Sequence, residues 1–527
     1  MKLHGWCLDN DFLRLAPAHT PNLDTIGKNH KKYMVDPKSE QGEKLSEKKG
    51  NLLIKDGLVV FPGKFTRKAS LLIENGKISH IAINSDTLKA DQVINAEGKV
   101  VFPGIIDSHF HVGIYKPLSE DAKSESKSAI AGGVTTILSY FRAGKNYLNK
   151  NEPYTKLFEE VIRLSQGNFY CDYGYNLAPI TSVHIEEIPF LTKEWGVTTY
   201  KYYMFYKGLN LKSEVRRGSV EKEYLLSDEP YDLGHLFKIM KKISELNKND
   251  KKVRLSIHAE DAELIRIHLE DVKKKMNELN LNPLQAYNMA RPPIAERMAI
   301  IEAFELASQT GCPINILHIT SKLALQTTKE LKRYYPDVDC KTEVTAAHLT
   351  LTTESNAGVL GKVNPPIRTA DDKEALWHGI LSNEIFTVVS DHAAITKAMK
   401  GSELWSAENG FGATELLLPA LLTEGYYKRG ISLEKIAELL TTNPAKLHNL
   451  SNRKGDISIG LDGDFVIVNL NKERLVRADK LHSAQDFTPF EGLTLKGWPE
   501  LTILKGNVVF QDNDITSKPN GEYLKRF

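Results

Sequence analysis

Apolar residues follow two rhythms along this chain. Short β-like runs open at Asn51 with NLLIKDGLVVFPG and ASLLIENGKISHIAI, the second broken by Asn75-Gly76, a dipeptide favoured in tight hairpins. The same texture returns near the other end in GDFVIVNL and LTILKGNVVFQDNDI, with another Gly-Asn turn. Two β-rich pieces flanking a long middle predict a small β-sandwich domain built from both chain ends, residues 51–100 and 451–527. Edges left unpaired in either half favour the joining.

Between them, residues 101–450 alternate strand and helix. Strand-like runs are VVFPGIIDSHFHV, GVTTILSYF, CDYGYNLAPI, GVTTYKYYMFY, VRLSIHAE, PINILHIT, CKTEVTAAHLTL and FTVVSDHAA. Stretches such as EPYTKLFEEVIRLS, DLGHLFKIMKKISEL, AERMAIIEAFELAS, SKLALQTTKELKRYY and DKEALWHGILS repeat apolar residues at three- and four-residue spacing, the helical period. The α/β alternation fits a (β/α)8 TIM barrel with insertions. A doubly wound open sheet competes, but no strand is followed by GxGxxG or a P-loop.

Composition narrows the class. At 527 residues, 41% apolar and 26% charged, the chain suits a large globular enzyme, and a net charge of +2 gives no reason to expect nucleic acid or an anionic membrane. Cys7, Cys171, Cys312 and Cys340 are scattered without a CxxC pair, which excludes a thiolate metal site and suits a reducing cytoplasm. No apolar run spans a bilayer, and the N-terminus lacks a secretory apolar core. Residues 1–50 read as an N-terminal polar extension, Lys- and Glu-rich from about Asn22.

The chemistry-bearing residues gather at strand ends. His109 and His111 in DSHFH stand two apart, so on a strand their imidazoles share one face in chelate geometry; alone, HxH is a weak signal. His258, His318 and Asp391 each close an apolar strand run, and a barrel gathers such ends on one rim. Lys201 sits inside the apolar, aromatic run GVTTYKYYMFY. It reads as an ion pair, a side chain snorkelling to the rim, or a neutral amine open to reaction with carbon dioxide, and spacing does not choose among these. His184, His235, His268, His378 and His448 fall in helices or loops and read as structural.

The order D-x-H-x-H, strand lysine, two strand-end histidines and S-D-H resembles the cyclic amidohydrolases: hydantoinases, dihydropyrimidinases, allantoinases and dihydroorotases. AGGVTT, YKYYMFYKG, HAED, ARPPIAE, VNPPIR, SDHAA, TTNPAKL and FTPFEG extend the likeness from Asn51 to about Asp514. The resemblance implies two divalent cations, for which zinc fits the donors. One would be held by His109, His111, Lys201 and Asp391, the other by Lys201, His258 and His318, with Lys201 carboxylated and bridging. It further implies Asp107 as a supporting residue, Asp391 as the proton carrier, Tyr206 polarising the substrate carbonyl, and a cation-bridging hydroxide attacking a cyclic amide. Asn364 and Asn409 match positions lining the substrate cleft.

Departures select among substrates. Dihydroorotases carry an Arg after HxH and an Asn after strand two, where this chain has HFHVGIYKP and LSYFRAG, leaving Lys116 or Arg142 to compensate. A hydantoin- or dihydropyrimidine-type ring is the first expectation and allantoin the next. A non-catalytic scaffold of the dihydropyrimidinase-like kind is disfavoured because all six ligand positions are kept. Residues 209–230 lengthen the loop after strand four, most simply as a solvated loop or subunit contact; the other reading has Arg216 and Arg217 meeting an acidic substrate. Relatives imply a homotetramer.

Overall fold

The computed structural model describes residues 50–83, 87–144, 146–207, 230–248 and 252–526. The polar extension, Cys7 and nearly all of the 209–230 insertion, with Arg216 and Arg217, lie outside the described residues.

Nine strands form one mixed sheet from the two chain ends. They are β1 (Leu52–Phe61), β2 (Phe65–Glu74), β3 (Lys77–Ala82), β4 (Gln92–Asn95) and β5 (Val100–Pro103), then β14 (Phe465–Leu475), β15 (Thr494–Leu504), β16 (Asn507–Gln511) and β17 (Asp514–Ile515). The order is β17-β16-β15-β14-β5-β1-β2-β3, with β4 on β1, so the antiparallel β5–β14 ladder joins the halves. Leu52, Ile54, Leu71, Ile73, Phe465, Ile467 and Ile503 are among the residues of its apolar core. Asn75 (φ 52°) and Gly76 (φ 79°) turn the β2–β3 hairpin, both in the left-handed region such turns need. In the β15–β16 hairpin the turn is Lys505-Gly506, one residue earlier than the Gly-Asn pair the sequence suggests.

Eight parallel strands make the second sheet: β6 (Ile105–Phe110), β7 (Val134–Arg142), β8 (Asp172–Ala178), β9 (Thr199–Tyr203), β10 (Arg254–His258), β11 (Ile314–Ile316), β12 (Cys340–Thr345) and β13 (Thr387–Val389). They pair in chain order, and a parallel bridge from Phe110 to His392 brings the last edge to the first. This is the (β/α)8 barrel. The connecting helices bury one stripe: Tyr154–Ser165 buries Tyr154, Leu157, Phe158, Val161 and Ser165, the spacing of one helix face.

Three predicted strands end earlier than their apolar runs. VVFPG–IIDSHFHV divides at Gly104 between the two sheets, and a side chain there would come within 2.8 Å of Asp464 Cβ. GVTTYKYYMFY leaves the strand after Tyr203 and makes a 3-10 turn over Met204–Tyr206. After Thr345 the chain turns into the short helix Ala346–Thr350, whose His348 N–H donates to Thr345 Oγ1 at 3.2 Å.

Buried charge ties barrel to sheet. Lys454 Nζ lies 2.7 Å from Asp172 on β8, 2.5 Å from Asp464 and 3.2 Å from Asp462, so the ammonium itself fills this carboxylate cluster. Burial alone would raise the Asp462 pKa, but Lys454, Lys77 and Arg453 outweigh it and hold it at about 2. Its contribution to stability is therefore full above the ordinary carboxylate pKa of about 4 and is lost as pH falls toward 2. Lys454→Met, which strands buried Asp464 and leaves Asp172 to Lys505 and Asp462 to Lys77 and Arg453, should destabilise the fold by about 3 kcal/mol at neutral pH. A denaturation midpoint unchanged from wild type would refute this.

Candidate active site

The barrel gathers the predicted side chains at the C-terminal ends of its strands, around a cavity of about 340 Å³. His109 comes from β6, with His111 just beyond that strand's end; Lys201 comes from β9 and His258 from β10. His318 and Asp391 follow β11 and β13 by two residues. Both have positive φ, 31° and 52°, a strained conformation that persists where surrounding structure imposes it.

Asp391 Oδ1 lies 3.1 Å from His109 Nε2 and 3.4 Å from His111 Nε2. Donor atoms of these three residues fall within 4.8 Å of one another, the spacing of a shared cation. Lys201 Nζ is 3.0 Å from His109 Nε2, with the rings of Tyr140 and Tyr203 at 4.2 and 4.6 Å. No carboxylate pairs with it among the described residues, and burial lowers its pKa to about 8 against the pull of Asp391 and Glu343. The His318 ring adjoins those of His109 and His258, at 5.4 and 4.3 Å between centroids.

A second layer of hydrogen bonds orients these side chains. His109 Nδ1 meets Glu343 at 2.7 Å, His111 Nδ1 meets the Tyr147 hydroxyl at 2.9 Å, and His258 Nε2 meets Glu260 at 2.6 Å. Arg291, from the ARPPIAE segment, grips both Glu260 oxygens, at 2.9 and 2.5 Å. Each of the three imidazoles thus has one nitrogen tethered by an outer partner, and Nε2 of His109 and of His111 faces Asp391, an arrangement common around bound metals. Burial holds His109, His111, His258 and His318 below the ordinary histidine range, in the neutral form that ligates. Asp107 accepts hydrogen bonds from Ser390 N, Ser390 Oγ and Thr414 Oγ1, bracing the segment that carries Asp391.

Substrate-side residues also converge. Tyr206 lines the cavity from its 3-10 turn, and Asn364 and Asn409 line it from two later loops. The Tyr287 hydroxyl donates to Asn364 Oδ1 at 2.6 Å and lies 3.0 Å from Asn409 Oδ1, leaving both amide NH2 groups for a ligand. Lys400 Nζ donates to the carbonyls of Lys362, Glu408 and Gly410, at 3.0, 3.1 and 2.7 Å, clamping the two loops together.

The sequence and the fold are similar to those of proteins of known class. A model of the amidohydrolase family matches residues 237–509, more than half of the chain. The chain belongs to the amidohydrolase family. This amidohydrolase is a hydrolytic enzyme, 29% identical over 484 residues to an allantoinase of Desulfitobacterium hafniense, covering 90% of this chain and 98% of that one. It is 28% identical to a D-hydantoinase of Geobacillus stearothermophilus, over 90% and 96% of the two chains. A D-hydantoinase crystal structure superposes with a TM-score of 0.78 at 29% identity, over 90% of this chain and 99% of that one.

Sequence reasoning missed the amidohydrolase's supporting layer. Glu343, Tyr147, Tyr287 and Lys400 sit in no motif of their own; the partners of the first three lie 36 to 234 residues away, and Lys400 bonds only backbone carbonyls. Glu260 and Arg291 did stand inside quoted motifs, HAED and ARPPIAE, but nothing in their spacing says that they pair. His235 and His448 are buried in structural settings: His235 Nε2 bonds the Pro179 carbonyl at 3.0 Å, and His448 Nδ1 the Thr199 hydroxyl at 2.8 Å. No helix among the described residues is long and apolar enough to cross a membrane.

Proposed function

We propose that this amidohydrolase opens a cyclic amide of the hydantoin or dihydropyrimidine type with two divalent cations, zinc fitting the donor set. His109, His111 and Asp391 would hold one cation, His258 and His318 the other, and carboxylated Lys201 would bridge them. The observation that carries this reading is the Lys201 amine, buried without a carboxylate partner between two groups of neutral imidazoles. Carboxylation would turn that isolated nitrogen into an anion placed among cation ligands.

When bound, the cations would acidify a water and polarise the scissile carbonyl. The residues divide the remaining work. The Asp391 carboxylate accepts the proton of the attacking water and passes it to the ring nitrogen as the C–N bond breaks. The Tyr206 hydroxyl donates to the carbonyl oxygen while negative charge develops there. The amide NH2 groups of Asn364 and Asn409, aimed by Tyr287, take the other ring carbonyls. One water is consumed, a C–O bond replaces the C–N bond, and the product is an open-chain acid.

The homotetramer implied by the resemblance and the cytoplasmic setting read from the scattered cysteines belong to the same proposal. Allantoin is the second reading, favoured by similarity to an allantoinase at the same level as to a hydantoinase. Purified enzyme should be assayed on hydantoin, dihydrouracil, allantoin, dihydroorotate and N-acyl amino acids. Turnover of one or more of the cyclic ureides above the N-acyl amino acids is expected, and hydrolysis confined to linear amides would overturn the proposal.

A further inference from the structure

Arg142, the last residue of β7, is buried in the wall of the same cavity yet has no ion-pair partner among the described residues. Its one hydrogen bond runs from Nη1 to the adjacent Ala143 carbonyl at 3.3 Å, which leaves most of a five-donor fork unused. The guanidinium is held between aromatic rings, 5.3 Å from the centroid of Tyr147 and 5.8 Å from that of Tyr206. Tyr147 also contacts His111, and Tyr206 lines the cavity, so the cation stands one ring away from the proposed reacting centre.

Among the described residues two carboxylates share this cavity, and neither pairs with Arg142. Asp391 is engaged by His109 and His111, and the exposed Glu408 makes no ion pair with the guanidinium. A buried arginine without a counter-charge is costly, and its rigid fork is shaped for a carboxylate. A neutral hydantoin or dihydrouracil ring would leave that cost uncompensated.

We propose that the substrate is a cyclic amide bearing an anionic substituent, in its simplest form a carboxylate on a short arm, and that Arg142 binds that group. This rests on the cyclic-amide reading above and narrows it. Tyr147 and Tyr206 fix the plane of the fork, so the anion sets which edge of the ring faces Asp391. The cavity of about 340 Å³ accommodates a five- or six-membered ring with such an arm.

The test uses two isosteric probes, hydantoin acetic acid and its carboxamide, with binding measured by calorimetry and ring opening recorded separately. Wild-type enzyme should bind the acid at least ~30-fold more tightly than the amide. Arg142→Met should remove that preference, and Arg142→Lys should restore only part of it. Equal affinity of wild type for the two probes, or binding of neither, overturns the proposal, as does a preference that survives Arg142→Met. The wild-type comparison needs no variant to fold. Binding preference without ring opening would count against the proposed reaction while leaving Arg142 as an anion receptor.

Discussion

Replacing Asp391 with Asn is expected to lower kcat by a factor on the order of 10³–10⁴. The carboxylate has two duties in the account. Oδ1 faces His109 and His111 at 3.1 and 3.4 Å, and in the proposed reaction the group would carry a proton from water to the leaving nitrogen. An amide of the same shape keeps the packing and a weak oxygen donor but has no basic site. Substrate binding, read as KM, should therefore change far less than kcat. A variant retaining a tenth of wild-type turnover would show that the proton moves by another route.

Lys201→Ala should be at least as damaging, with a loss of about 10³-fold or more, because it removes the bridging anion and weakens both proposed cation sites. The variant should also release metal on dialysis, a readout independent of catalysis. Intact mass of the wild-type chain under native conditions should exceed the sequence mass by one carbon dioxide, and the alanine variant should lack that increment. Acetate, small enough for the vacated volume, should restore part of the activity. Full activity in Lys201→Ala would leave the lysine as a buried amine of purely structural use.

The proposed ligands were legible in the sequence because they combine ligand-type side chains with strand periodicity. His109, His111, Lys201, His258, His318 and Asp391 all sit in or just beyond apolar runs, and parallel strands in a barrel deliver such ends to one rim. Elements were legible for the same reason, while their ends were less so. Apolar composition does not mark where a strand becomes a turn, so Tyr206 moved onto a 3-10 turn and His348 into a helix.

What the sequence concealed depends on long-range pairing. Glu343 meets His109 across 234 residues, and Lys400 ties Lys362 to Gly410 through backbone carbonyls that no residue identity reveals. Arg142 is the sharper case. The sequence marks it as a cation after the second strand, but that no ion-pair partner faces it among the described residues is visible only once the surrounding wall is assembled.

The most direct test is ring-opening activity measured against bound metal in chelator-treated enzyme. On this account, activity is absent at zero metal and rises to its plateau at two divalent ions per chain. Undiminished activity in the metal-free chain, or a plateau reached at one ion, would contradict it.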